Sequence, residues 1–236
     1  MTAVQVKKLV IAIGTAGHVS ALLSHPRDAR ACFIVAHGAG AGMTHPFMEA
    51  IASGLAERAV ATLRYQFPYM EKGSKRPDSP AVAHATVRAA VAEAAGLCPD
   101  LPLIAGGKSF GARMTSQAQA NAPLPGVRGL AFLGFPLHPA GKPSIDRATH
   151  LLDVKIPMLF LQGTRDTLAE LKLLEPVAKN LGKRATLHVV DGGDHSFHVL
   201  ARSGRKDADA MREICDATAV WIDKIADGAH ADSHHQ

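Results

Sequence analysis

Aromatic residues make up only 5% of this 236-residue chain, tryptophan occurs once and cysteine three times. Cys32, Cys98 and Cys215 are scattered, with no paired spacing. An odd, dispersed set argues against a disulfide framework and against a cysteine-built zinc site, and points to a reducing, cytoplasmic compartment. No stretch approaches the ~20 apolar residues that a membrane-spanning helix needs, so no membrane partner is expected. There is no internal repeat and no long linker. A large charge excess is missing too: 26 Lys plus Arg stand against 21 Asp plus Glu, a formal charge of +5. The densest basic spots, Lys72/Lys75/Arg76 and Arg202/Arg205/Lys206, are interrupted or flanked by acidic and turn residues. They read as solvated surface, and no nucleic-acid partner is expected.

What is present suits one α/β domain. Hydrophobic residues are 47% of the chain and alanine is abundant, a composition that lets helices pack closely on a sheet. Short apolar runs alternate with longer helical patterns, which implies a largely parallel sheet covered by helices on both faces. Eight strands are expected, at 7–13, 18–24, 31–36, 59–64, 101–105, 128–133, 156–161 and 185–190, the first two as an antiparallel hairpin. Helices are expected at 47–58, 80–95, 110–120, 167–181 and 207–227. In the last, Met211, Ile214, Cys215, Thr218, Ile222 and Ile225 recur on one face, with Trp221 on the same buried side. Lys7-Lys8 ahead of Leu9–Ile13 resembles the start of a signal peptide. The run is short and soon interrupted by Gly14, Gly17 and His18, so it reads as the first strand. The domain is expected over 1–228, with 229–236 a disordered tail whose histidines are not read as metal ligands.

The most informative stretch is Gly107-Lys108-Ser109-Phe110-Gly111, between the apolar run Leu101–Ala105 and a helix-compatible stretch from Ala112. A Gly-x-Ser-x-Gly at a strand-to-helix turn is a nucleophile elbow: small neighbours permit a turn tight enough to lift the serine hydroxyl clear of the backbone. A serine hydroxyl needs a base, and the base needs an orienting carboxylate. One candidate stands after each appropriate strand. Asp166 follows Ile156–Leu161 in Gln162-Gly-Thr-Arg-Asp166, and His195 follows His188–Val190 in Asp191-Gly-Gly-Asp-His-Ser-Phe197. Both lie at carboxyl ends of strands, where open α/β sheets carry their sites. Asp191 and Asp194 are competing acids better suited to shaping the histidine loop, and His198 is the rival base. Asp166 could alternatively cap the next helix.

An oxyanion hole is the second requirement. The run Phe33–Val35 leads into Ala36-His37-Gly38-Ala39-Gly40-Ala41-Gly42, a small-residue loop that lets amides approach a ligand. The backbone N–H groups of Ala39 and Phe110 are the assigned donors. A phosphate loop is the competing reading, but no Gly-Lys-Ser/Thr follows this loop and no Gly-x-Gly-x-x-Gly spacing occurs in it. His37 is expected to hold the loop by a hydrogen bond. Phe67, Tyr69, Phe135 and His138 are candidate substrate-binding residues, and Lys142, His138 and Arg113 candidate partners for an anionic substrate group, although scaffold or solvated roles serve each as well. Only 22 residues separate the strands at 128–133 and 156–161, too few for a substantial lid.

Taken jointly, His37–Phe47, Phe67–Met70, Gly106–Arg113, Phe135–Pro143, Gln162–Asp166 and Asp194–Phe197 resemble the small α/β-hydrolases related to the dienelactone-hydrolase group. The resemblance runs from about residue 8 to 225. It departs from dienelactone hydrolases proper in carrying serine where those use cysteine, and it has Ala112 where close relatives often have a third glycine. It implies an α/β-hydrolase fold and a hydrolase. The residues themselves imply acyl transfer on a small-molecule ester or related acyl substrate, by a carboxylesterase-like enzyme with no cofactor and no metal. A peptidase or acyltransferase could use the same three residues, and a binding or scaffold protein could use the same fold.

Overall fold

The computed structural model describes residues 5–231. Its eight strands are β1 (Val6–Ala12), β2 (His18–Ser24), β3 (Ala31–Ala36), β4 (Val60–Tyr65), β5 (Leu103–Lys108), β6 (Val127–Leu133), β7 (Met158–Gly163) and β8 (Ala185–Val190). They form one sheet in the order β1-β2-β4-β3-β5-β6-β7-β8. β1 pairs antiparallel with β2, and β2 antiparallel with β4; every other pairing is parallel. The helices are α1 (Pro46–Ala56), α2 (Pro68–Glu71), α3 (Pro80–Leu97), α4 (Phe110–Asn121), α5 (Leu171–Leu181) and α6 (Asp207–Ala231).

The two faces follow from the two-residue period of the strands. On β3, Phe33 and Val35 point to one face, where Met48, Ile51 and Leu55 of α1 and Ile214, Trp221 and Ile222 of α6 cover them. Cys32, Ile34 and Ala36 point to the other face, under Val87 and Val91 of α3 and Met114 and Ala118 of α4. With helices on both sides, β3, β4, β5 and β7 are buried along their whole lengths. This is why the central strands read as continuous apolar runs and not as alternating ones. β1 and β8 close the two edges and keep exposed positions.

The expected elements all occur, and the differences have local causes. β5 extends to Lys108, three residues beyond the expected end at 105, because Gly106 and Gly107 stay extended and in register with β6. α5 starts at Leu171 and not at 167: Asp166 turns the chain by accepting the Leu168 amide, and Glu170 takes the position before the helix. The short α2, not expected, starts at Pro68, whose missing amide proton is tolerated at a first helical position. α6 continues to Ala231, past the expected boundary at 228; residues 232–236 of the expected tail lie outside the described residues. Between β6 and β7 the chain forms a loop and a 3-10 helix, Asp146–Asp153, with no lid domain. Among the described residues, no helix is long and apolar enough to cross a membrane.

Phe160 on β7 is fully buried and meets Phe132 and Phe135 edge-on, with ring centroids 5.0 Å and 6.0 Å away. Phe160→Ala is expected to cost about 3–5 kcal/mol through lost transfer energy and the cavity left behind. Urea titration checks this as a lower midpoint with an unchanged slope.

Candidate active site

At the carboxyl end of β5 the chain turns sharply into α4 through Ser109, whose φ of 51° and ψ of −110° are rare for a residue with a side chain. Two glycines make the turn possible. A Cβ at Gly107 would lie 2.4 Å from the Ala36 carbonyl oxygen, and one at Gly111 would lie 2.6 Å from the same atom. The end of β3 therefore presses directly on the elbow, and only glycine fits on either side of the serine.

The turn aims the hydroxyl at the loop after β8. Ser109 Oγ lies 2.9 Å from His195 Nε2, and His195 Nδ1 lies 2.7 Å from Asp166 Oδ2. The three sequence-selected residues thus form one continuous hydrogen-bonded chain. The Asp166 side chain has no solvent exposure, whereas His195 keeps 22% of its side chain accessible. Asp166 is fully engaged: Oδ1 accepts the Leu168 amide at 2.8 Å, and Oδ2 also accepts the Gln162 amide group. Burial alone would raise its pKa. The hydrogen bond and charge of His195, the Leu168 amide and the nearby Lys108 outweigh burial and hold the carboxyl below its ordinary value.

The rival residues have other occupations. Asp194 Oδ1 accepts the amides of Ser196 and His198 at 2.8 Å and 3.0 Å, folding its own loop. His198 turns outward to Asp207, 2.7 Å away. Asp191 is exposed, and its backbone carbonyl accepts from Arg205.

The small-residue loop after β3 lies beside the serine. His37 is fully buried; Nδ1–H donates to the Gly38 carbonyl at 2.7 Å, and Nε2 accepts the Phe67 amide at 3.1 Å. Burial, partly opposed by the Gly38 carbonyl, lowers its pKa to about 4. The ring is a neutral brace. Tyr69 Oη accepts the Gly40 amide at 2.9 Å, a second brace. Among the described residues, the Ala39 and Phe110 amides have no backbone acceptor, and Phe110 opens α4, where the helix dipole favours negative charge.

A cleft of about 560 Å³ opens over Ser109 and His195. Gly38, Ala39, Ala41, Phe47, Met48, Lys108, Leu168, Phe197 and Met211 are among its lining residues. None of the four expected substrate-binding residues lines it, which corrects that expectation. Phe67 and Tyr69 are buried and pack edge-on against Phe110, at 5.3 Å and 6.3 Å between centroids, beneath the small-residue loop. Phe135 is buried between Phe132 and Phe160, and its amide donates to Gln162 Oε1. His138 is buried, with Nδ1 at Pro139 O and Nε2 at Glu170, 2.8 Å each. Aromatic loops at strand ends serve equally as walls or as supports, and here they support. Lys142 is exposed on a turn and Arg113 is half-buried on α4, and neither reaches the cleft.

Sequence reasoning missed the true walls, Phe47, Met48 and Met211 on α1 and α6 and Phe197 beyond the histidine. It also missed Gln162, which ties Asp166 to the end of β6. A polar residue closing the apolar run Met158–Leu161 was the available signal for Gln162. Among the described residues, no cluster of histidine, cysteine and acidic side chains is arranged to hold a metal ion.

A family model described as an alpha/beta hydrolase domain matches residues 29–223. Among solved structures, the chain is similar to a dienelactone hydrolase from Anabaena variabilis, with 18% identity, TM-score 0.74, and coverage of 92% of this chain and 96% of that one. It is also similar to a lidless serine hydrolase from Xanthomonas campestris, with 20% identity, TM-score 0.71, and coverage of 94% and 97%. An esterase domain of a Rhodothermus marinus protein matches with 14% identity, TM-score 0.70, and coverage of 92% and 97%. At such identities the likeness concerns the fold.

The neutral His37 has a consequence for stability. Its folded pKa of about 4 lies below the ordinary 6.5, so the unfolded state binds the extra proton between those values. His150, also lowered to about 4 by burial and by Arg113, acts in the same direction. Unfolding free energy is therefore expected to fall as pH drops from about 6.5 to 4, by on the order of 3 kcal/mol for His37 alone. The depressed Asp166 adds its loss only at still lower pH. Urea unfolding at pH 7 and pH 4.5 measures the difference; equal stabilities would contradict a neutral buried His37.

Proposed function

Because the chain belongs to the alpha/beta hydrolase family, we propose that it is a serine hydrolase cleaving an ester or related acyl bond of a small molecule. The observation that carries this reading is the chain of hydrogen bonds from Ser109 through His195 to Asp166 at the mouth of an open cleft. His195 Nε2 takes the Ser109 proton as Oγ attacks the carbonyl carbon. Asp166 fixes the ring through Nδ1–H and stabilises the imidazolium. The Ala39 and Phe110 amides receive the developing oxyanion, each such donor being worth roughly 10²–10³ in rate. His195 then gives its proton to the leaving group, and water, activated by the same imidazole, releases the acyl group from Ser109.

The cleft walls favour an apolar acyl group of small to medium size. The esterase and dienelactone hydrolase among similar structures accord with carbonyl-ester chemistry. The three free, buried cysteines accord with a reducing, cytoplasmic setting.

A fluorophosphonate probe tests the reading. Wild-type protein is expected to be labelled at Ser109 and to hydrolyse p-nitrophenyl acetate or butyrate. Ser109→Ala should lose labelling and turnover while keeping the wild-type thermal transition. Asp166→Asn should lower kcat by roughly 10³–10⁴ through the wrong histidine tautomer. A folded wild-type protein that takes no label would sink the proposal.

A further inference from the structure

The cleft contains a cation that the triad chemistry leaves without a task. Lys108 ends β5, one residue before Ser109, and strand alternation turns it away from α4 toward α1. Only 8% of the residue is exposed. Its stem runs beneath the oxyanion loop, where a methyl group at Gly38 would lie 3.5 Å from Lys108 Cγ. Nζ donates to the backbone carbonyl of His195. It also lies 5.7 Å and 5.5 Å from the ring centroids of Phe47 and Phe197, which stack on each other at 6.1 Å. Among the described residues, no carboxylate is within ion-pair distance of it.

Packing does not account for this arrangement. Methionine would fill similar space without the several kcal/mol that desolvating an ammonium costs. The benefit must come from what the charge holds. The histidine loop needs holding: Phe197, two residues past His195, has a φ of 64°, a costly conformation for a bulky side chain. We propose that Lys108 is a positioning residue for the general base, its ammonium clamping the His195 backbone and its stem supporting the oxyanion loop. One side chain, covalently adjacent to the nucleophile, thereby ties elbow, base and oxyanion loop together.

The clamp carries a pH signature. Burial lowers the ammonium to about 8, against the pull of Asp166 from the loop after β7 and Asp194 from the histidine loop. His195 itself shares that loop, and His45, His198 and Asp207 are the other titratable groups lining the cleft. As pH rises through about 8 the cation is lost, and with it the charge-assisted hydrogen bond and the attraction to the two rings.

The inference rests on the serine hydrolase reading, and one experiment separates the two. Fluorophosphonate labelling rates of Ser109, with kcat and KM on a p-nitrophenyl ester, are measured from pH 6 to 10 for wild type and Lys108→Met. The expected result is a 10–100-fold fall in kcat and labelling rate for K108M with KM within threefold. The wild-type decline near pH 8 should be absent in the variant. Wild-type rates in a folded K108M, a loss confined to KM, or an alkaline decline that persists in K108M would each overturn the clamp. If K108M does not fold, wild type decides: kcat falling through about pH 8 with unchanged circular dichroism supports the clamp, and a flat profile to pH 10 overturns it. Equal labelling of wild type and variant defeats the clamp alone, whereas an unlabelled wild type defeats the hydrolase reading.

Discussion

Ser109 occupies a backbone conformation that costs a side-chain-bearing residue on the order of 1–3 kcal/mol, and the active end of the sheet is built around holding it there. The Ala36 carbonyl at the end of β3 sits where any side chain at Gly107 or Gly111 would have to go. β3 then runs on into the loop that carries the Ala39 amide. Elbow and small-residue loop are therefore held in register by a single strand contact, the parallel pairing of β3 with β5. The distance between the Ser109 hydroxyl and the Ala39 and Phe110 amides is a property of the sheet, and no ligand is needed to create it.

Around that contact the polar groups are arranged so that few are left unpaired in the low-dielectric interior. Asp166 could not remain a buried carboxylate without its three partners, Gln162, Leu168 and His195. Two of these are themselves held from the loop after β6: Gln162 Oε1 by the Phe135 amide, and the Leu168 carbonyl by the amides of Leu137 and His138. The loop after β6 thus acts on Asp166 at one remove. It contributes nothing to the cleft wall, yet it holds the residues that hold Asp166 against His195, which gives buried aromatics in that loop a role other than lining the cleft.

The meeting of Ser109, His195 and Asp166 was legible in the sequence because strand-end loops of a parallel sheet come together at one edge, and each carried a chemically suitable residue. The eight strands were legible for a related reason: buried parallel strands are uninterrupted apolar runs, as in Phe33–Val35 or Met158–Leu161. Cleft walls are not legible in this way. Phe47 and Met211 look like ordinary core positions on amphipathic helices, and only the three-dimensional meeting of α1 with α6 over the end of the sheet exposes them. Phe67, Tyr69 and Phe135 carried the opposite ambiguity, since aromatic residues after strands are compatible with either wall or support. Their buried rings, Phe67 and Tyr69 against Phe110 and Phe135 against Phe132 and Phe160, act as supports.

Without a lid, any selection by the cleft has to come from surfaces that are already formed. Those surfaces are helix faces: Phe47 and Met48 at the start of α1, Met211 near the start of α6, with Phe197 stacked on Phe47. Helix-borne walls change little on binding, so discrimination follows from side-chain volume and not from closure, and a single added or missing methylene is worth only about 1–3 kcal/mol. On the proposed acyl substrates, an open, preformed cleft of this kind would act as a graded filter of size. Its two methionines, flexible and polarizable, soften the limit further. The rigid part of the molecule is the chemistry, set by the sheet, and the permissive part is the wall, set by the two helices that lie over one face of it.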